Sequence, residues 1–447
     1  MREFFRRLIP LLLATLVTSH EKPVALIGTL LLTNTSLVNG TLLIVNRHIA
    51  AVGTEVRIPT DALVIHTDGI ILPGLIDVHN HLTWNIFPRW KPAKPFASRY
   101  DWQRESSYGT LLEEPHRRLI EAGLSCEMQR YAEVKAISQG VTSVIGSLRH
   151  PCNEGLARNL DNDPTLGRIL HDVFPLQMSD EKLQEADDTL SSNGALFIHL
   201  AEGSIHDGTT AAEFALLKER HLLRPGLSII HGIALTDEDF RAMSNASVGF
   251  VWSPRSNHEL YGETANLQAA LESQIVTAIA PDWSPTGSDG LLSELNYAVR
   301  WNAERQHSLF DARSLLAMAT VNPAKLVHLD QRLGALREGF LADVVVLRSD
   351  EKDDPFDSVT NASPKDVLLV IIDGQPVYGD RALMERFVSP PSTLEELDVC
   401  GTKKSIAWPN ELGVQRSFRQ TQRLLDDALR RWGQRLASIT DSCLFEE

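Results

Sequence analysis

His79 and His81, one residue apart, close the segment Pro73-Gly74-Leu75-Ile76-Asp77-Val78-His79-Asn80-His81. The apolar run from Ile70 to Leu75 reads as a buried strand leading into them. A strand alternates its faces, so Asp77, His79 and His81 are expected on one side, where two imidazoles reach one divalent cation. The signature recurs downstream. Ala195-Leu196-Phe197-Ile198 runs into His199, with Glu202 just past the strand end, and Leu227-Ser228-Ile229-Ile230 runs into His231-Gly232. Ile275 to Ala280 runs into Pro281-Asp282. A lone histidine at a strand end usually satisfies a hydrogen bond; three such ends in one chain make that reading poor. A carboxylate closing an apolar strand is costly unless it meets a cation or a donor network.

The order is His-x-His, His-x-x-Glu, His-Gly, then Ser253-Pro254-Arg255-Ser256-Asn257, then Asp282. Taken together it resembles the metal-dependent amidohydrolase superfamily, on the branch of cytosine and guanine deaminases and chlorotriazine hydrolases. The resemblance runs from about Pro23 to Gly379 and includes Gly334, Gly339, Ala342 and Asp343, which match the family's closing pattern. It implies an α/β fold, a (β/α)8 TIM-type barrel with a small composite β-sandwich domain beside it. Two features depart from the pattern. Ala280-Pro281 stands where a small-residue Gly step often precedes the last Asp, and no lysine ends a strand ahead of His199, since Lys135 falls in a helical pattern. The second departure implies one metal rather than two.

The roles follow from the chemistry of these groups. His79, His81, His199 and Asp282 are the expected ligands of one divalent ion, zinc or Fe(II), whose water would have its pKa lowered toward about 7. Glu202, Asp282 and His231 are the expected catalytic residues. Asp282 serves as ligand and base, Glu202 protonates a substrate nitrogen and then the leaving amine, and His231 orients the nucleophile or polarises the substrate. The expected activity is hydrolysis of a carbon–nitrogen bond, of deaminase type on a cyclic amidine or aminated heterocycle. The alternatives are an exported amidase, dipeptidase-like or lactone hydrolase, and a non-catalytic binding protein, which would be expected to have lost ligands.

The elements that must position these groups divide the chain. Residues 20–72 and 333–382 carry short apolar strands with Asn39-Gly40 and Asp373-Gly374 as turn signals, and are expected to form the composite β-sandwich. Residues 73–332 are expected to form the barrel, irregular because few residues separate the strands ahead of His199. Leu82 to Pro115 is long and aromatic, with Trp84, Phe87, Trp90, Phe96, Tyr100 and Trp102, and reads either as a substrate lid or as an anchored surface loop. Residues 383–447 are expected as a helical extension in which Leu425, Leu429, Trp432, Leu436 and Ile439 form a docking stripe.

Composition narrows the partners. A net charge of −15 argues against a nucleic-acid surface and for a small-molecule substrate. Arg2, Arg6 and Arg7 precede a short apolar run, Leu8 to Val17, so residues 1–19 read as a signal peptide and the protein as secreted or periplasmic, without a stable membrane span. A homo-oligomer stays open. The four cysteines allow three disulfide connectivities; Cys126 with Cys152 and Cys400 with Cys443 are nearest in sequence, and buried free thiols are the alternative.

Overall fold

One sheet carries both the first and the last strands of the chain. The computed structural model describes residues 22–147, 152, 156–173, 179–305, 307–349, 354–407, 416–439 and 443; the expected signal peptide at 1–19 lies outside them. The strands before the barrel are β1 (Val24–Thr33), β2 (Ser36–Val45), β3 (His48–Gly53) and β4 (Leu63–Pro73). The barrel strands are β5 (Leu75–Asp77), β6 (Val141–Val144), β7 (Arg158–Asn159), β8 (Ile169–Val173), β9 (Ala195–Leu200), β10 (Leu227–His231), β11 (Gly249–Trp252) and β12 (Thr277–Ile279). After them come β13 (Val344–Leu347), β14 (Val367–Ile372), β15 (Gln375–Asp380), β16 (Leu394–Val399) and β17 (Thr402–Ala407).

Flanking strands meet where β4 pairs antiparallel with β13, Ile71 opposite Val346. The result is one hydrogen-bonded sheet of nine strands, ordered β16-β17-β15-β14-β13-β4-β1-β2-β3. Two sequence expectations change here. Asn39-Gly40 is not a turn but lies inside β2, Gly40 opposite Gly28; a Cβ on Gly40 would sit 2.3 Å from the Gly53 carbonyl oxygen, so close strand approach explains the glycine. Residues 383–447 are not wholly helical, because β16 and β17 form a hairpin that extends the sheet. Its turn is Cys400-Gly401, both in the left-handed region (φ 52° and 74°), which a two-residue hairpin requires. Asp373-Gly374 turns β14 into β15 in the same way (φ 53° and 76°).

Gly74 is where the chain leaves this sheet for the barrel. A Cβ there would lie 2.1 Å from Thr142 Oγ1, so only glycine lets β5 swing in beside β6. The barrel strands run parallel, as β8 to β12 in one sheet and β5 to β7 in another. A bridge between Asn80 and Asp282 joins the two sets on one side. Among the described residues β7 and β8 are not hydrogen-bonded neighbours, so the ring is irregular. Its interior is apolar: Ile76, Val78, Ile145, Phe197, Ile230, Val251 and Ala278 belong to one buried cluster, and this floor aims the polar strand ends outward. No helix among the described residues is long and apolar enough to cross a membrane.

The C-terminal stripe packs on the helix Ser125–Ile137. Leu425 and Leu429 are fully buried, Phe418 stacks on Tyr131 at 5.6 Å, and Arg416 pairs with Glu127. Cys126 bonds Cys152 and Cys400 bonds Cys443. Beyond the helix the tail reaches the long stretch after His81, where the Ala437 amide donates to the Ile86 carbonyl at 2.8 Å. Leu425→Ala, which opens a cavity under this helix, is expected to destabilise the protein by about 2–5 kcal/mol. Denaturant titration would register the loss as a lower midpoint with an unchanged slope.

Candidate active site

The strand β5 stops at Asp77, so alternation alone does not carry His79 and His81 to the site. Asp77 is buried and its carboxyl supports the turn, accepting the His79 amide at 3.2 Å and Asn80 Nδ2 at 2.6 Å. Burial pushes that carboxyl up to about 8. The His81 amide then donates to the Asp282 carbonyl at 3.0 Å, which fixes the β5 exit against the β12 exit. Both His231 and Asp282 sit in the left-handed backbone region (φ 69° and 68°), unusual for residues with side chains and typical of functional sites.

The strand ends converge. His79 Nε2 lies 3.0 Å and His81 Nε2 3.4 Å from Asp282 Oδ1. The His79 ring centre is 4.7 Å from that of His199 and 5.2 Å from that of His231. Two overlapping triads, His79-His199-His231 and His79-His81-Asp282, each bring their donor atoms within 4.8 Å of one another. Imidazole nitrogens and a carboxylate at this separation fit one divalent ion of the zinc or ferrous type. All five groups are thus brought together, and His231, expected in a catalytic role, stands as close to His79 and His199 as a ligand would.

Electrostatics agree with that use. Burial holds the His79 imidazole down at about 4, and it holds His199 well below its ordinary value, with the neighbouring imidazoles adding to the effect. At pH 7 both rings are neutral, so neither must release a proton to bind a cation. Burial alone would raise the Asp282 carboxyl. Its contact with His79 and the surrounding imidazoles outweigh burial and hold it below the ordinary carboxylate range.

Outer contacts set the orientation of each group. Ser256 donates to Asp282 Oδ2 at 2.6 Å, and Asn257 Oδ1 lies 2.9 Å from His231 Nδ1. This explains why Ser256 and Asn257 follow one another at the start of the helix Pro254–Tyr261. Asn257 Nδ2 is committed to Thr264, so its oxygen faces His231, which carries a proton on Nδ1 and turns the bare Nε2 inward. That Nε2 is buried without a hydrogen-bond partner among the described residues, as expected of an atom facing a cation or its water. Glu202 is nearly fully buried. The Tyr261 hydroxyl donates to its Oε1 at 2.6 Å; Oε2 lies 3.3 Å from His199 Nδ1 and 3.7 Å from Arg99.

Three residues near the site escape sequence reasoning. His171, in β8, has Nε2 3.0 Å from His79 Nδ1; it stands in mid-strand behind only Ile169 and Leu170, a weak form of the apolar run that marks the other histidines. Arg99 and Tyr261, which flank Glu202, carried none, since they are distant in sequence from it. The long stretch after His81 is packed rather than loose. Ser98 bridges Gly203, the Arg99 amide donates to the Glu202 carbonyl at 3.2 Å, and Trp102 Nε1 donates to Tyr261 at 2.8 Å. It covers the site and leaves His81 as the more open of the histidines, with 24% of its side chain exposed. Trp283 stands 6.3 Å from His81, and Trp84 and Trp102 stand 5.8 Å and 5.7 Å from Trp283.

A model of the amidohydrolase family matches residues 189–377. The chain is similar to a 5-methylthioadenosine/S-adenosylhomocysteine deaminase of Pyrococcus furiosus, with 24% identity over 353 residues, 70% of this chain and 83% of the relative. Among solved structures, a variant of an atrazine chlorohydrolase from Arthrobacter aurescens, complexed with zinc and atraton, superposes with a TM-score of 0.66. It is 17% identical, with 79% of this chain and 95% of that one covered. An adenosine deaminase from Xanthomonas campestris with bound zinc also gives 0.66, at 14% identity over 93% of this chain and 99% of that one.

Proposed function

The chain belongs to the metal-dependent amidohydrolase superfamily, on its deaminase and triazine-hydrolase side, and from that premise we propose that it deaminates a planar aminated heterocycle or cyclic amidine. The observation that carries this reading is the placing of Glu202 beside the histidine and aspartate cluster, its Oε2 3.7 Å from His231 Nε2. His79, His81, His199 and Asp282 would hold the ion. A divalent cation there supplies a water that attacks at neutral pH, its pKa brought down from 15.7 toward about 7.

The chain's own groups do the rest. Asp282, held ionised, takes a proton from the attacking water while Ser256 fixes its other oxygen. His231 turns its bare Nε2 inward and orients the attacking oxygen. Glu202 gives its proton to the ring nitrogen as oxygen adds to the trigonal carbon, then takes the proton left on that oxygen and passes it to the exocyclic nitrogen, so that the carbonyl forms, the exocyclic carbon–nitrogen bond breaks and ammonia leaves; the proton held by Asp282 then returns to Glu202. Trp283 beside the more open His81, with Trp84 and Trp102 packed on Trp283, suits a flat, weakly polar ring. The relatives named above act on purine-type nucleosides or were solved with a triazine, and both ring systems are of that class. The test is ammonia release by metal-replete protein from aminopyrimidines, aminopurines, aminotriazines and cyclic amidines, with simple amides alongside. Turnover confined to the amides would move the reading to an amidase.

The two disulfides and the basic residues Arg2, Arg6 and Arg7 ahead of the apolar run Leu8 to Val17 together support export to an oxidising compartment. N-terminal sequencing of the native protein should find a terminus near His20; an intact Met1 in a cytoplasmic fraction would reject it.

A further inference from the structure

We propose that Lys135 is a positioning residue for the metal centre, a buried ammonium that clamps the loop carrying His79 and His81 to the loop carrying Asp282. Lys135 lies in the helix Ser125–Ile137, outside the cluster of ligands, and only 1% of its side chain is exposed. Its three N–H donors go to three acceptors: the Asn85 carbonyl at 3.0 Å, Ser284 Oγ at 3.0 Å and Asp289 Oδ1 at 3.1 Å. An ammonium has three donors and no acceptor, so this side chain is fully used. Asn85 follows the His-x-His turn, while Ser284 and Asp289 follow Asp282. Asp289 supplies the opposite charge without which so buried a cation would be prohibitively costly.

The clamp continues inward to the ligands. Asn85 Oδ1 accepts the Ser284 amide at 2.7 Å, and Asn85 Nδ2 donates to Asn80 Oδ1 at 2.8 Å. Asn80 Nδ2 reaches Asp77, whose other carboxyl oxygen accepts the amide of His79. One connected set of hydrogen bonds therefore runs from Lys135 to the backbone of the first ligand, and through Ser284 to the segment just past the last one. A lysine placed only to pack a helix would need no such convergence on two ligand loops. Groups that orient ligands from outside typically contribute about 10- to 100-fold in metal affinity.

The inference rests on the metal centre and not on the substrate class, so it is tested on metal. Full-length Lys135→Met, together with Lys135→Met/Asp289→Leu, which leaves no unpaired charge, is loaded with zinc and challenged with excess chelator. Both proteins are expected to lose zinc about 10-fold or more faster than the parent. In cobalt-substituted protein both should show altered d–d absorption, while the double variant recovers thermal stability lost by the single one. Ser284→Ala, which removes one of the three acceptors of Lys135 and leaves its charge pair with Asp289 in place, should also speed zinc loss, and serves if the lysine variants do not fold. Unchanged zinc loss and unchanged cobalt spectra in the folded variants, with lowered thermal stability alone, would overturn the proposal and leave Lys135 a packing residue. A parent protein that retains no tightly held zinc would instead overturn the metal-centre reading itself.

Discussion

His199→Ala protein is expected to purify with little metal and almost no turnover. His199 ends β9 with its ring facing those of His79, His81 and His231, and its removal leaves the β9 side of the site without a donor. Loss of a cation that contributes several kcal/mol to the transition state lowers the rate by about 1,000-fold or more. The fold should survive, because the apolar neighbours Phe197, Ile198 and Leu200 that anchor the strand remain. Metal analysis of folded protein, judged by circular dichroism, is the check. A full complement of metal in the variant would remove His199 from the ligand set and put His231 in its place.

Glu202→Gln is expected to do the opposite, keeping the metal and losing the reaction. The amide matches the carboxylate in shape and can still accept from Tyr261, so the surroundings of Oε1 persist. What disappears is the group that carries a proton to the leaving nitrogen, worth about 100- to 10,000-fold in turnover. The pair of variants therefore separates holding the ion from moving the proton. Turnover at the parental rate on the best substrate found would show that another acid does the work.

Much of this was legible in the sequence because the groups that bind the ion close apolar strands, and strands announce themselves by local pattern. His79, His81, His199, His231 and Asp282 each follow such a run, and the parallel barrel gathers strand ends at one face whatever their distance in sequence. What could not be read is what depends on contacts between distant segments. Tyr261 meets Glu202 across a helix, and Arg99 reaches it from the covering loop. Lys135 looked like an ordinary helical lysine, since helical periodicity does not say which face meets two loops from other parts of the chain. The Asn39-Gly40 pair misleads for a related reason. Glycine next to asparagine favours a turn, but close approach of the β3 end demands the same residue in mid-strand.

The pairing of β4 with β13 sets a timetable for biosynthesis. Ile70 to Pro73 must wait for Leu347 to Val344 before that edge of the strand leading to His79 is covered. At about 5–20 residues per second, the intervening chain takes roughly 15–60 s to emerge from a ribosome. Through that interval β4, which leads through Gly74 and β5 to His79 and His81, is paired on one edge only, and such distant pairings also form slowly once both partners exist. The frame around His79 and His81 is therefore complete only once Val344 to Leu347 have emerged, and a nascent chain stalled before Val344 would present both histidines without it.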